Sequence, residues 1–139
     1  MKIQDIMHKG VASVGPDTSL SQVASKMRDM DIGALPVIDA GQLVGIITDR
    51  DVTVRAVADG KDVSALAARQ VMSRNVVCCR AGDEVHQALQ AMEKAQVRRM
   101  PVTDGGRDLV GMISLGDIVA AHRPDLTEEI TKAVAAHHT

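Results

Sequence analysis

The chain carries one pattern twice, and this repeat constrains its fold more than any other feature. Residues 11–52 match residues 76–118 at an offset of 65 positions, which widens to 66 after a short turn. The matching positions include Met7 with Met72, Gln22 with Gln87, Met27 with Met92, Pro36 with Pro101, Asp39 with Asp104, Gly45 with Gly111 and Asp51 with Asp117. A repeat of this length indicates two copies of one supersecondary unit, neither of which buries its apolar face alone.

Each copy is predicted to run strand, helix, strand, strand, helix. Short β-branched runs at 11–14 and 76–79 predict the first strands, and apolar residues at helical spacing predict helices at 20–30 and 85–95. Two hairpins are predicted from 34–38 with 43–48 and from 100–103 with 109–114, and second helices from starts near Asp49 and Leu115. Pro36 and Pro101 lack an N–H to donate, so we expect both at a sheet edge or a strand end.

The predicted fold class is α+β, built from two β-α-β-β-α repeats. Each small sheet would leave one face uncovered, so we expect the copies to pack against each other with pseudo-two-fold symmetry around a central cleft. The predicted segments are a first repeat over 1–58, a linker over 59–69, a second repeat over 70–123, and a C-terminal helix and tail over 124–139. Pro124 is expected to end the last repeat helix, and residues 126–137 are expected to form a terminal helix.

Composition narrows the partners that the chain can take. Its 139 residues are 45% hydrophobic, which is enough for one sizeable core. A net charge of -2 with interspersed signs offers no broad basic surface, so neither nucleic acid nor an anionic membrane is expected as a partner. No apolar stretch approaches the roughly 18 residues of a membrane span, and no apolar leader follows Lys2, so a cytoplasmic protein is expected. Because Phe, Tyr and Trp are absent, any bound base would lie against aliphatic side chains.

Cysteine and histidine give little support for redox or metal chemistry. Cys78 and Cys79 are adjacent, and vicinal cysteines do not easily close a disulfide of normal geometry, so reduced thiols are expected. On a strand, one thiol should point inward and the other outward. The histidines show no zinc-site spacing, and no bound metal is predicted. They are His8, His86, His122, His137 and His138.

A glycine, a hydroxyl residue and an aspartate recur at each predicted junction of strand and helix, at 45–51 and at 111–117. Because residues i and i+3 share one side of a helix start, Thr48 should lie near Asp51, and Ser114 near Asp117. A hydroxyl at a helix N-terminus suits a phosphate, and a carboxylate accepts hydrogen bonds from ribose hydroxyls. The same spacing is the signature of a capping box, which needs no ligand, so both interpretations stay open for either motif alone.

These motifs resemble those of the cystathionine-β-synthase (CBS) pair family over nearly the whole chain. The resemblance rests on Asp5-Ile6-Met7, on Ala34-Leu35-Pro36-Val37, on the Gly-Ile-Ile-Thr-Asp-Arg-Asp run at 45–51, and on their second-copy counterparts. More narrowly, the chain looks like small bacterial proteins that consist of one CBS pair, or Bateman module. The resemblance implies two candidate sites in the cleft, adenosine-containing ligands and a disc-like dimer of pairs.

The resemblance also implies roles for individual residues. Thr48 and Ser114 would lie near phosphate, Asp51 and Asp117 would hold ribose, and the duplication within the family pattern favours this role over a plain cap. Backbone groups of the first strand and of the Ala-Leu-Pro strand would grip the base. These residues are Val11, Ala12, Ser13, Ala34, Leu35 and Pro36 in the first copy, and Val76, Val77, Cys78, Met100 and Pro101 in the second.

Arginines distinguish the second copy from the first. Arg98 and Arg99 occupy the positions of Gly33 and Ala34. By resemblance, a basic residue here reaches a phosphate, whereas a pair with a surface carboxylate is the alternative. Arg50 has the same two interpretations with weaker support. Positive charge concentrated in one copy predicts two unequal sites.

The predicted function is a non-catalytic sensor that binds an adenine nucleotide and passes a conformational signal to an unknown protein partner. AMP, ADP and ATP are the leading ligands, NAD and S-adenosylmethionine are further candidates, and no cofactor is required. A homodimer of pairs is expected. The alternatives are a redox or metal sensor that acts through Cys78 and Cys79, and a structural oligomerisation domain without a ligand. No enzyme is predicted, because no activated nucleophile, acid–base pair or phosphate loop has a recognisable spacing.

Overall fold

The chain divides into two compact units that do not coincide with the two copies of the sequence pattern. A computed structural model describes residues 1–121 and 126–136. The first-copy unit is Ala12–Val76, and the second-copy unit joins Met1–Val11 to the described chain from Val77 onward. The segment that precedes the first copy therefore belongs to the unit of the second copy.

The first-copy unit is a hairpin with helices on either side of it in sequence. Its elements are α1 (Leu20–Met30), β1 (Ala34–Asp39), β2 (Gln42–Thr48) and α2 (Asp49–Val52), continued by a π-helical turn at Thr53–Val57 and by 3₁₀ turns at Val63–Ala65 and Ala68–Gln70. β1 and β2 are antiparallel, and Asp39 pairs with Gln42 across the turn. Ala40 and Gly41 between them have φ angles of 51° and 79°, as a type I′ hairpin turn requires.

The second-copy unit repeats this order and adds elements at both ends. A 3₁₀ turn at Ile3–Asp5 is followed, after the first copy, by β3 (Cys79–Arg80), α3 (Val85–Ala95), β4 (Arg99–Thr103), β5 (Leu109–Ser114), α4 (Leu115–Ala121) and α5 (Thr127–Ala136). The strand order is β3-β4-β5, with β3 parallel and β5 antiparallel to β4. α5 packs against α3 and α4. The predicted terminal helix is confirmed, although Pro124 and the predicted end at His137 lie outside the described residues.

The repeat extends to irregular backbone features. α1 ends at Asp31 and α3 ends at Gln96, each in the left-handed conformation with φ of 54° and 57°. Both hairpins also shift register at the same place, between Val37 and Ile38 in the first copy and between Val102 and Thr103 in the second. The fold class predicted from the sequence, α+β with two equivalent repeats, is confirmed, and the two copies also share these irregular features.

The first strands of both copies are shorter than predicted. Only Val14 of residues 11–14 pairs with β1, and only Cys79–Arg80 pairs with β4. The amide of Val14 donates to the carbonyl of Pro36 at 3.0 Å, and the amide of Ile38 donates to Val14 at 2.8 Å. The next bond of this parallel ladder would need an N–H on Pro36, which proline lacks, so the ladder ends there. The equivalent Pro101 lies in the central strand β4, so the sheet-edge expectation is wrong for it.

Each unit has its own apolar core. In the first-copy unit the fully buried side chains include Leu20, Val23, Leu35, Ile47 and Val71, and in the second-copy unit Ile3, Leu89, Met92, Met100, Ile113 and Ile118. Burying an aliphatic side chain of this size contributes about 1.5–3 kcal/mol. Ile3 and Val71 come from the segments that precede the two copies, so those segments are part of the cores.

Glycines allow these preceding segments to lie against the hairpins. A Cβ at Gly45 would lie 2.7 Å from the sulfur of Met72, and a Cβ at Gly111 would lie 2.6 Å from the carbonyl oxygen of His8. The backbone of His8 exchanges hydrogen bonds of 2.8 and 3.0 Å with Met112. Ser73 bonds Ile46 in the same way. In each unit, the residues next to the hairpin thus come from the segment ahead of the other copy.

Candidate functional site

Thr48 and Asp51 come together where β2 passes into α2. The amide of Asp51 donates to Oγ1 of Thr48 at 3.0 Å, and the amide of Thr48 donates to Oδ2 of Asp51 at 2.9 Å. Both side chains are half-buried. This reciprocal pair is a complete capping box, which satisfies two backbone donors at the helix start.

Ser114 and Asp117 form the same arrangement between β5 and α4. The amide of Ser114 donates to Oδ2 of Asp117 at 2.8 Å, and the amide of Asp117 donates to Oγ of Ser114 at 3.0 Å. The structure therefore brings both predicted hydroxyl–carboxylate pairs together. Their structural role as caps is observed directly, whereas their role toward phosphate and ribose stays a prediction.

The second oxygen of each carboxylate faces a different basic residue. Oδ1 of Asp117 lies 2.7 Å from Nε2 of His8, whereas Oδ1 of Asp51 lies 3.9 Å from Nε of Arg55. Arg55 also donates through Nη1 to the carbonyl oxygens of Val71 and Met72 at 3.0 and 3.2 Å. Sequence reasoning assigned neither basic residue to the site. The i,i+4 spacing of Asp51 and Arg55 could have indicated that pair, but nothing in the sequence connects His8 to a residue 109 positions away.

Backbone hydrogen bonds connect each helix start to the residue just before the first strand of the same hairpin. The amide of Asp49 donates to the carbonyl of Gly33 at 3.0 Å, and the amide of Leu115 donates to the carbonyl of Arg98 at 2.7 Å. Gly33 and Arg98 occupy equivalent positions in the two copies. The start of the Ala-Leu-Pro strand is thus held next to the helix start, as a site made from both would require.

The residues predicted to grip a base fall into two groups. Those on the hairpin strands are buried, namely Ala34, Leu35 and Pro36 on β1 and Met100 and Pro101 on β4. Those before the first strands are more accessible, with Val11, Ala12, Ser13 and Val76 half-buried and Val77 and Cys78 exposed. The second group lies in irregular backbone rather than on the predicted strands, because the parallel ladders begin only at Val14 and Cys79.

The three candidate arginines have different surroundings. Arg98 is half-buried, and its Nε is buried without a hydrogen-bond partner among the described residues. Arg99 and Arg50 are exposed. Leaving a buried donor without a partner costs about 1–3 kcal/mol of folding free energy, and more when the group is charged. An anionic ligand would therefore stabilise the environment of Arg98 more than that of Arg99 or Arg50.

The two thiols differ in burial, as predicted, although only Cys79 lies on a strand. Cys79 is buried and Cys78 is exposed. Burial raises the pKa of the Cys79 thiol to about 12, with smaller contributions from the nearby charge of Asp83 and from Cys78. Partial desolvation also raises the pKa of Cys78. Because the thiolate is the nucleophile and the metal ligand, both environments oppose thiol chemistry at neutral pH.

Within residues 1–121 and 126–136, no group of three His, Cys, Asp or Glu side chains is placed to hold a metal ion. His122, His137 and His138 lie outside those ranges. In the same part of the chain, no helix combines the length and apolar character needed to cross a bilayer.

A sequence model described as the CBS domain matches residues 3–57 and 68–123. The chain belongs to the CBS domain family. Among curated proteins, the CBS domain-containing protein YhcV of Bacillus subtilis is 36% identical over 116 residues, which are 84% of this chain and 81% of that protein. The resemblance stated from the motifs is thereby confirmed.

Two solved structures of CBS proteins are also similar. Hypoxic Response Protein I with two coordinated zinc ions has a TM-score of 0.79 and 35% identity, and the match covers 88% of this chain and 99% of that one. The CBS domain pair of protein MJ0100, in complex with 5'-methylthioadenosine and S-adenosyl-L-methionine, has a TM-score of 0.79 and 29% identity, and the match covers 87% and 94%.

Proposed function

We propose that this CBS pair is a regulatory module that binds an adenine nucleotide at equivalent sites in its two copies. Asp51 and Asp117 would accept hydrogen bonds from ribose hydroxyls, and Thr48 and Ser114 would lie near phosphate. AMP, ADP and ATP are the leading candidate ligands, followed by NAD and S-adenosylmethionine.

The observation that carries the proposal is the duplicated hydroxyl–carboxylate pair at two half-buried helix starts. In the first copy the cap uses only Oδ2 of Asp51. Its Oδ1 has no hydrogen bond within the described residues and only the distant Nε of Arg55 at 3.9 Å. A carboxylate can accept several hydrogen bonds at once, so a cap and a ribose are compatible.

Two further observations support an adenosine-containing ligand. The buried Nε of Arg98 has no partner in the described part of the chain, and a phosphate oxygen would satisfy it. The similar CBS pair of protein MJ0100 was solved with two adenosine-containing molecules. The candidate base-binding residues at 11–13 and 34–36, and at 76–78 and 100–101, would surround the base with backbone and aliphatic groups.

The proposal includes a signalling step and no chemical reaction. To signal, the nucleotide must bind one conformation of the module more tightly than another. The receiver would be a protein partner in the cytoplasm, and the module would act as a homodimer of pairs.

The redox and metal alternatives receive less support. Burial raises the pKa of both thiols, which lowers the fraction of reactive thiolate. The zinc ions of Hypoxic Response Protein I belong to that protein. Metal analysis of the purified chain, with and without a chelator, tests this alternative directly.

Calorimetric titration of the five candidate ligands, supported by thermal shift, tests the proposal. A ligand at 100 times its dissociation constant should stabilise the fold by about 2.7 kcal/mol. If none of the five binds, the proposal is wrong and the structural oligomerisation role becomes the better interpretation.

Neutralised aspartates then locate the sites. Asp51→Asn and Asp117→Asn keep an oxygen for the cap but lose the charge, so each should weaken binding at its own copy by about tenfold or more. Asp62→Asn is a matched control, because Asp62 caps a 3₁₀ turn through Ser64 and belongs to neither candidate site. Unchanged affinity in both folded site variants would show that the carboxylates act only as caps.

A further inference from the structure

A concavity of about 550 Å³ lies in the first-copy unit beside α1. Its lining includes Ser13 and Val14, which precede the helix, and Ile38 at the end of β1. The helix side is lined by Thr18, Gln22 and Lys26. Ser13 is the only residue that it shares with the candidate nucleotide site, and neither Thr48 nor Asp51 lines it. The volume falls in the range of small-molecule sites.

Three polar side chains that can donate hydrogen bonds, Thr18, Gln22 and Lys26, line one side of this concavity. Thr18, Gln22 and Lys26 follow one another at intervals of four residues, which places them side by side along α1 and the turn before it. Oγ1 of Thr18 accepts from the amide of Gly15 at 3.0 Å, so its hydrogen stays available for donation. Nζ of Lys26 donates to the carbonyl of Ser13 at 2.9 Å, which uses one of its three hydrogens.

The charge on Lys26 is not balanced by a nearby carboxylate. Among the described residues Lys26 forms no ion pair, and its ammonium donates to the carbonyl oxygen of Ser13. The acidic residue next to Thr18 in the sequence, Asp17, is held by Arg69. The concavity therefore presents one half-buried cation with spare donors, which favours a singly charged anion.

The second copy shows that the fold does not need this arrangement. Ala91 occupies the position of Lys26, and Asp83 occupies the position of Thr18. Asp83 accepts from the amide of Arg80 at 3.1 Å, as Thr18 accepts from Gly15. The turn is thus preserved while the cation and the donor hydroxyl are present only in the first copy.

We propose that this concavity is a second ligand site, which binds a small aliphatic monocarboxylate. The carboxylate would accept hydrogen bonds from Lys26, Thr18 and Gln22. A short hydrocarbon chain would lie against Val14 and Ile38. The proposal does not rest on the proposed nucleotide function, although the two sites share Ser13.

Titration of the full-length, isotope-labelled protein with sodium butyrate, followed by amide chemical shifts, tests the site. Saturable shifts are expected at Gly15, Thr18 and Gln22, with sodium chloride at equal concentration as the reference. Butyramide has the same shape without the charge and should bind at least about tenfold more weakly. The Lys26→Ala variant should lose the same factor in affinity for butyrate. Alanine is the residue at the equivalent position of the second copy, Ala91.

Two controls separate the site from unspecific effects. Lys94→Ala removes an exposed lysine of α3 and should leave butyrate binding unchanged, and Lys26→Arg should retain most of it. Absence of saturable shifts, equal binding of butyramide, or full binding in a folded Lys26→Ala variant would each overturn the proposal.

Discussion

Asp51 and Asp117 use one oxygen to close a capping box and have the other available to a second group. For Asp117 that group is His8 at 2.7 Å, from the N-terminal segment. For Asp51 it is Arg55 at 3.9 Å, from the same helix. A nucleotide at the second copy would compete with His8 for the carboxylate of Asp117. A nucleotide at the first copy would compete with the more distant Arg55 for the carboxylate of Asp51. The inequality predicted from Arg98 and Arg99 thus has an additional physical source.

The buried thiol of Cys79 should make stability depend on alkaline pH. Burial raises its pKa from about 9 to about 12, so the folded state binds this proton more tightly than the unfolded state. The corresponding stability is complete below pH 9 and is lost as the pH rises toward 12. In a Cys78→Ser background, the free energy of unfolding should therefore fall more between pH 8 and pH 11 than it does with Cys79→Ala added.

Urea unfolding under reducing conditions at both pH values measures this difference. The comparison cancels the titration of lysines and arginines, which both proteins share. Equal pH dependence with and without the thiol would mean that Cys79 ionises freely in the folded state. Alkylation at pH 8 should accordingly modify exposed Cys78 much faster than Cys79.

At the level of elements, the contact between each hairpin and its neighbouring segment depends on a glycine. A Cβ at Gly45 would lie 2.9 Å from the carbonyl oxygen of Ser73, and a Cβ at Gly111 would lie 2.6 Å from that of His8. Backbone cannot move aside as a flexible side chain can. Gly45→Ala and Gly111→Ala should each lower the free energy of unfolding by about 1–3 kcal/mol.

Gly82→Ala is the matched control, since nothing lies within 4 Å of its added methyl group. Its urea midpoint should stay close to that of the parent. The Gly111 variant should also lose amide protection at His8 and Met112, whose backbones bond each other. If that variant were as stable as the control, the tight approach of the segment would not matter to the fold.

The elements also show which features a sequence can reveal. Helical spacing predicts α1 and α3, and the turn residues predict both hairpins, because these signals depend on a few neighbouring positions. The first strands were predicted too long, because their pairing depends on the missing N–H of Pro36 in a distant strand. The hydroxyl–carboxylate pairs are predictable because their members lie three positions apart. The contact of Asp117 with His8 is not predictable, because the two residues lie 109 positions apart.

At the scale of the whole molecule, each unit includes the segment that precedes the other copy. The segment before the first copy lies in the second-copy unit, and the segment before the second copy lies in the first-copy unit. Ile3 belongs to the core of the second-copy unit and Val71 to that of the first. Repetition in the sequence shows that two units exist, but it does not show which segment completes which unit. That exchange requires contacts between residues far apart in the chain, for which periodicity carries no signal.

We expect the predicted homodimer to form through one surface of the first-copy unit. Met30, Val54 and Val57 are apolar and 44–58% exposed, on α1 and on the helical turn after α2, and α1 packs against α2. In the second copy, Ala95 and Ala120 replace Met30 and Val54, and α5 packs on α3. We therefore expect the first-copy helices of two chains to meet in an isologous contact.

A Val54→Glu, Val57→Glu variant tests this surface by light scattering. Placing two carboxylates in an apolar contact leaves both without compensation, so the dissociation constant of the dimer should rise about a hundredfold or more. Val134→Glu changes a valine of α5 that is as exposed as Val54, and it should leave the dimer intact. Because the double variant alters only exposed positions, its monomer should unfold at a temperature close to that of the dissociated parent. A dimer that survives both substitutions would place the contact elsewhere, and a parent that stays monomeric at high micromolar concentration would remove the dimer itself.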